Sequence, residues 1–294
     1  MDLTDLADLA DLADSKDPQM DHGSAGMEAY SMYASTVQAC VLKVLFDSLR
    51  ELLVDTVIQF SPAGVKLVDL DNTHVVMLNL RLDAKNFEEF HCDADGVAIG
   101  VNVANLHALL KTVNTNDTLT LFLERADSNR LGISVQNDEK RTKTEFKLNL
   151  LDIDAAEYNI PPVGFNSCIV LPSTYLQKIV RDMSNLSEQV EIRNVGRELV
   201  LICNGHFCRQ ETVLQDTEIG EAPDGGDGAE NHDATLIKQG VFSLRYLSMF
   251  TKCSSLAPNV EIYLKNAFPL VLRFNISLGE LKLCLSPIQT DDSY

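Results

Sequence analysis

One plan, a helix followed by two strands around a tight turn, recurs four times along this chain, and that recurrence limits the folds open to it. The clearest copy covers residues 172–203. Ser173 stands where a helix would be capped. Leu176, Ile179, Val180, Met183 and Leu186 then share one helical face, with Lys178, Arg181 and Asn185 on the opposite one. The period falls to two at Val190 and Ile192, Gly196 marks a turn, and residues 198–203 read as a second strand. The first copy has a helix over 37–52 and strands at 55–60 and 65–70 around a turn at 61–64. The second has a helix over 101–113 and strands at 117–124 and 131–135 around a polar turn at 125–130. The fourth has a helix over 242–253 and strands at 259–264 and 268–274 around Lys265 and Asn266. This predicts an α+β fold, two tandem domains of two units each, with helices covering one face of antiparallel sheets.

No apolar run approaches the roughly 18 residues that span a bilayer, so a soluble chain with no membrane partner is expected. The N-terminus lacks the basic-then-apolar order of a secretory signal. Seven cysteines without a CxxC pair suit reduced thiols in an intracellular compartment. The net charge of −19 weighs against nucleic acid until its distribution is followed. Residues 1–29 hold eight acids against one lysine, 215–234 hold seven acids and no base, and Asp291 and Asp292 lie near the C-terminus. The remainder stands at only −3, which leaves room for a local basic patch. The expected division is a disordered acidic tail (1–29), a first domain (30–147), a connector (148–162) stopped by Pro161 and Pro162, and a second domain (163–288). An exposed acidic loop (215–234) interrupts the second domain, and a short tail (289–294) follows it.

Catalytic chemistry finds little support. Asp69, Asp71 and His74 have the composition of a carboxylate pair with a base, but Asp and Asn in this spacing suit a turn between strands better. Cys203, His206 and Cys208 supply half a metal site without a second cluster, so a hairpin around Asn204 and Gly205 is the better reading. With no phosphate loop, nucleophile elbow or HExxH motif, neither an enzyme nor a metal or cofactor is expected. The helices are more informative. Lys43 and Arg50, His107 and Lys111, Lys178 and Arg181, and Arg245 and Lys252 all lie off the apolar stripes. Four units on one plan would bring these faces to one side, a basic surface suited to backbone phosphates, although Asp47 and Glu51 sit near the first pair.

The stretches SPAGVKLVDLDNTHVVMLNL, GVNVANLHALLK, LPSTYLQKIVRDMSNLSEQVEI, FSLRYLSMFTK and FPLVLRFNISLGELKLCLSP together resemble the proliferating cell nuclear antigen family of DNA sliding clamps, in order over residues 37–288. The resemblance implies two clamp domains per subunit and a head-to-tail homotrimeric ring with helices lining the hole. The implied function is non-enzymatic, tethering a polymerase and other replication or repair proteins to double-stranded DNA without sequence preference, with a clamp loader as a further partner. An open monomeric or dimeric factor of the same fold, or a scaffold that does not track DNA, are the alternatives. The expected location is intracellular, in the nucleus or, for a viral chain, at the site of viral DNA replication. Lys43, Arg50, His107, Lys111, Lys178, Arg181, Asn185, Arg245 and Lys252 are the expected DNA-facing residues, while Val44 and Ala108 stand where the family usually has lysine. The family's partner groove maps to Leu70, His74, Tyr158, Ile160, Pro269, Cys284 and Pro287, beneath a connector whose Ile153, Tyr158 and Ile160 are expected to turn inward. Thr144, Phe146, Phe207 and Arg209 map to the subunit interface, between strands expected near 143–148 and 206–212.

Overall fold

A computed structural model of the chain describes residues 27–154, 156, 158, 165, 167–215, 217–221 and 237–288. After a 3₁₀ turn at Met27–Ala29, the first unit comprises β1 (Tyr30–Thr36), α1 (Ala39–Leu49), β2 (Asp55–Ser61), β3 (Gly64–Leu70), β4 (Val76–Asp83) and β5 (Glu89–Cys92). The second comprises β6 (Val97–Asn102), α2 (Val103–Leu110), β7 (Thr118–Glu124), β8 (Asp127–Asn137) and β9 (Thr142–Asn149). In the third are β10 (Ser167–Pro172), α3 (Ser173–Ser184), β11 (Gln189–Val195), β12 (Glu198–Asn204), β13 (Arg209–Leu214) and β14 (Glu218–Glu221). The fourth holds β15 (Ile237–Ser243), α4 (Leu244–Phe250), a 3₁₀ turn at Thr251–Ser255, β16 (Asn259–Tyr263), β17 (Leu270–Ile276) and β18 (Gly279–Leu285).

The units interlock in pairs. The strand preceding each helix leaves its own unit and joins the sheet of its neighbour: β1 pairs with β7 while β6 pairs with β2, and β10 pairs with β16 while β15 pairs with β11. No unit is complete alone, so the pair is the folding domain. Two sheets, β5-β1-β7-β8-β9 and β13-β12-β11-β15, flank a nine-stranded one, β14-β10-β16-β17-β18-β4-β3-β2-β6. The seam of that central sheet joins the two domains through the β4–β18 ladder, from Val76 opposite Leu285 to Leu82 opposite Gly279.

The helices form because their apolar residues recur at three and four. Buried Leu42, Leu45, Phe46 and Leu49 on α1 and Leu176, Ile179, Val180 and Met183 on α3 each contribute about 1.5–3 kcal/mol from surface removed from water. Asn102 caps α2, its side chain accepting the Asn105 N–H at 3.0 Å. The cap expected of Ser173 is not made: Pro172 takes the cap position, and Ser173 is the first helical residue with a buried Oγ that accepts nothing from the helix. At the β2–β3 turn Gly64 has φ +137°, and a Cβ there would lie 2.0 Å from the Leu82 carbonyl oxygen, so only glycine fits.

Several boundaries differ from expectation. The polar stretch 125–130 is not all turn, because β8 starts at Asp127 and its polar end pairs Arg130 with Asn149. That pairing carries β9 to Asn149, two residues into the expected connector. The acidic loop is interrupted by β14, which lays Ile219 opposite Ile169 on β10; residues 216 and 222–236 lie outside the described residues, as do the tail 1–26 and 289–294.

Candidate nucleic-acid and partner interfaces

α1 packs beside α2, α3 beside α4, and α1 meets the turn Thr251–Ser255, so the helices make one layer across both domains. Lys43 Nζ donates to the Val113 carbonyl at 2.6 Å, and the Ser184 and Ser248 hydroxyls lie 2.9 Å apart. Lys252 pairs with Glu51 across the domain boundary. Beside them the Cys253 thiol is pushed up to about 11 by burial, against a hydrogen bond with Ser48.

The cations on this layer are unequal. Lys111, Lys178 and Arg245 are exposed and form no ion pair among the described residues; the Arg245 guanidinium carbon lies 5.9 Å from the centre of the Tyr246 ring. Arg181 is 72% exposed and 3.8 Å from Asp182, and Asn185 is exposed on the same helix. On the first domain Asp47 holds Arg50 at 2.8 Å, and the same oxygen lies 3.1 Å from His107 Nε2. Burial lowers the His107 pKa; Asp47 opposes the shift, while Arg50, Lys111 and Lys43 add to it, so the ring is neutral at pH 7. A uniform basic stripe is therefore not what forms. The half of the layer built by α1 and α2 is largely self-compensated, and the half built by α3 and α4 is open.

The opposite surface carries a different feature. Register sets Leu70 opposite Met77, Met77 opposite Cys284, and Cys284 opposite Val271. All four are half-buried; Met77, Cys284 and Val271 each stand between buried core residues and Leu70 joins their face by register, so they form an apolar row on the outer side of the central sheet. Half-buried Pro269 and Pro287 flank it, and the Ser286 N–H donates to the Val75 carbonyl at 3.0 Å, holding the C-terminal segment beside the β3–β4 turn. Burial pushes the Cys284 thiol up to about 11, so it is a thiol and not a thiolate. Sequence reasoning missed Met77 and Val271. Buried neighbours on both sides of each signal an outward side chain, but only the register shows which strands lie adjacent.

The turn before the row is built on Asp71, not on a catalytic dyad. Its carboxylate accepts the Val75 and Val76 N–H groups at 2.8 and 2.7 Å and the Tyr246 hydroxyl at 3.1 Å. Burial would raise its pKa, but hydrogen bonds from Thr73, Val76 and Val75 outweigh that and lower it. His74 stands exposed at the turn with φ +57°. Tyr158 is half-buried and its hydroxyl donates to Asp69 at 3.1 Å. Ile153 is only partly turned inward: it is 39% exposed, but its Cγ1 lies over Gly100, where a Cβ would come within 3.3 Å of it, and the Leu151 N–H pairs with the Gly100 carbonyl at 2.8 Å beside it. Ile160 lies outside the described residues.

Among the described residues β9 pairs only with β8, and β13 only with β12, so each presents one edge that no described strand covers. On β9 Thr144 is exposed and Phe146 packs partly on the core. The second edge begins later than expected, at Arg209, which is 3.0 Å from Glu211. Phe207 is not a strand residue: Gly205 N–H closes on the Cys208 carbonyl at 2.8 Å, and Phe207 stands in that bend, 81% exposed.

Interlocked pairs of helix-on-sheet units, one helix layer and an outer apolar row beside the connector define the two-domain DNA-clamp class of fold. The family model described as "Proliferating cell nuclear antigen, N-terminal domain" matches residues 32–158, and that of the C-terminal domain matches 159–288. The chain is 35% identical over 254 residues to "Probable DNA polymerase sliding clamp 1" of Paramecium bursaria Chlorella virus 1, covering 86% of this chain and 95% of that one. It is 29% identical over 258 residues to the proliferating cell nuclear antigen of Dictyostelium discoideum, covering 86% and 98%. The crystal structure of the Entamoeba histolytica proliferating cell nuclear antigen superposes with a TM-score of 0.78 at 26% identity, covering 88% of this chain and all of that one. This chain belongs to the proliferating cell nuclear antigen family, a family of non-enzymatic sliding-clamp processivity factors.

Proposed function

We propose that this chain is a DNA polymerase sliding clamp whose copies close head to tail into a three-membered ring around duplex DNA. In this reading β9 of one copy adds to β13 of the next, each completing an open edge. The helix layer lines the hole, where Lys111, Lys178, Arg181, Asn185 and Arg245 meet phosphates, with Lys43, Arg50, His107 and Lys252 nearby. The outer row, with His74, Tyr158, Pro269 and Pro287 around it, takes a short motif of the polymerase and of other replication or repair proteins, Ile160 being assigned to the same role, and a loader opens the ring. The work is then done where DNA is replicated, in the nucleus or at a viral replication site.

The observation that carries this reading is the single helix layer spanning both domains with its exposed cations, since backbone phosphates ask only for charge at the right distance. The test is retention on DNA. The loaded protein is expected to stay on circular DNA and to run off linearised DNA, and equal loss from both rejects encirclement. Charge reversal of Lys178 and Arg181 together should flatten the salt dependence of association by a slope of about two. The small, exposed Thr144 leaves the β9 edge with little apolar surface of its own. Sedimentation of the wild type as a monomer at micromolar concentration would favour an open factor of the same fold.

A further inference from the structure

The cations of the helix layer differ in how their positions are fixed. Asp47 holds Arg50 at 2.8 Å and Glu51 holds Lys252, so the carboxylate that fixes each also cancels its charge. Lys111 and Lys178 keep their charge, but neither side chain has a hydrogen bond or ion pair among the described residues. Arg245 combines the two properties. It is exposed, in no ion pair among those residues, and its guanidinium carbon lies 5.9 Å from the centre of the Tyr246 ring, a neutral surface. The ring is itself anchored. Two residues apart on α4, Ser248 turns to α3, its hydroxyl 2.9 Å from that of Ser184, while Tyr246 turns the other way, across the domain boundary. There its hydroxyl donates to Asp71 at 3.1 Å and lies 2.8 Å from the Thr73 hydroxyl, which also bonds Asp71. Asp71 is buried and accepts the Val75 and Val76 N–H groups, so the anchor is fixed in the first domain.

We infer that Tyr246 is a positioning residue for DNA: anchored in the first domain, it holds the Arg245 guanidinium in place for a phosphate without neutralising it. This rests on the DNA-facing helix layer proposed above. An arginine held in this way loses less side-chain freedom on meeting a phosphate than a free lysine does. It also keeps the full charge on which counterion release depends. Tyr246 itself need not touch DNA, so its effect on DNA should exist only while Arg245 is present. A tyrosine that merely packed the domain boundary would change stability and leave the DNA contact alone.

The test uses the full-length protein and a short DNA duplex of arbitrary sequence, with association measured over a range of salt concentrations and folding checked by thermal melting. Arg245→Ala should weaken association and lower its salt slope by about one. Tyr246→Leu should weaken association at low salt about two- to fivefold, and should add nothing in the Arg245→Ala background. Tyr246→Phe keeps the ring and loses the bonds to Asp71 and Thr73, so its affinity should fall between wild type and Tyr246→Leu. Wild-type affinity in Tyr246→Leu, or the same loss with and without Arg245, would overturn the inference. Wild-type affinity in Tyr246→Phe would overturn the anchoring by the first domain. Should Tyr246→Leu fail to fold, Tyr246→Phe measured with and without Arg245 decides the same question. If Arg245→Ala binds as wild type while charge reversal of Lys178 and Arg181 still flattens the slope, DNA meets the layer without Arg245 and this inference alone fails. If neither change affects association, the DNA-facing reading fails and the inference falls with it.

Discussion

At the scale of single residues, two carboxylates do more than the sequence announces. Asp47 is an acid on a face expected to be basic, and its position explains the imbalance of the helix layer, since one oxygen serves both Arg50 and His107. Replacing Asp47 with Asn should release Arg50 toward DNA. Association would tighten at low salt, and its salt slope should steepen by about one; an unchanged slope would mean that Arg50 does not reach a phosphate. Asp71 is the structural counterpart. Asp71→Ala leaves two backbone N–H groups and the Tyr246 hydroxyl without this acceptor, a loss of about 2–3 kcal/mol, visible as a Tm lower by roughly 4–10 °C. Its folded-state pKa is lowered, so its contribution is present above the ordinary value of 3.8 and is lost as pH falls through the folded value. The gap between wild type and variant should therefore narrow in acid below that point. A gap independent of pH would assign the loss to packing.

At the scale of elements, the helices and most strands were legible because burial leaves a period in the sequence. Met183 and Val190 announce their faces by spacing alone. The exchange of first strands between units was not legible, since Val97–Asn102 reads the same whether it pairs with β2 or with its own unit. Nor was β14, whose Glu-Ile-Gly-Glu sequence carries one apolar residue and is a strand only because β10 offers it an edge. The candidate site was legible as residue types and positions but not as electrostatics, because Asp47 and Glu51 meet His107 and Lys252 only after the chain has folded. The edges carry their own prediction. Phe207 and Val213 are exposed on or beside β13, where an isolated chain gains nothing from them. If the proposed ring forms, substituting both with Asp should shift sedimentation from it to the single subunit while thermal stability of the subunit stays within about 0.5 kcal/mol of wild type. Persistence of the wild-type assembly would place the interface elsewhere.

At the scale of the whole molecule, the sequence suggests two tandem domains joined by a connector, and the bonding describes one body. The β4–β18 ladder runs through seven residue pairs. Around it, Lys252 reaches Glu51, and the Tyr246 hydroxyl on α4 reaches both Thr73, at 2.8 Å, and Asp71 in the first domain. Among the described residues the connector adds the Leu151 bridge, the Tyr158 bond and the stacking of Phe165 on Tyr263, while the ladder itself is made by residues far from it in sequence. A clamp has reason to be built this way, because a subunit that flexed at its middle would let the ring change curvature without opening at an interface. Replacing residues 155–157 with a protease site and cleaving there should leave two fragments that still migrate as one particle in native conditions. They should separate only in denaturant, in a single transition, because the central sheet is shared and neither half keeps a complete one. Spontaneous separation of the nicked halves, or two resolved transitions in the intact chain, would mean that the seam is a contact between domains that fold apart.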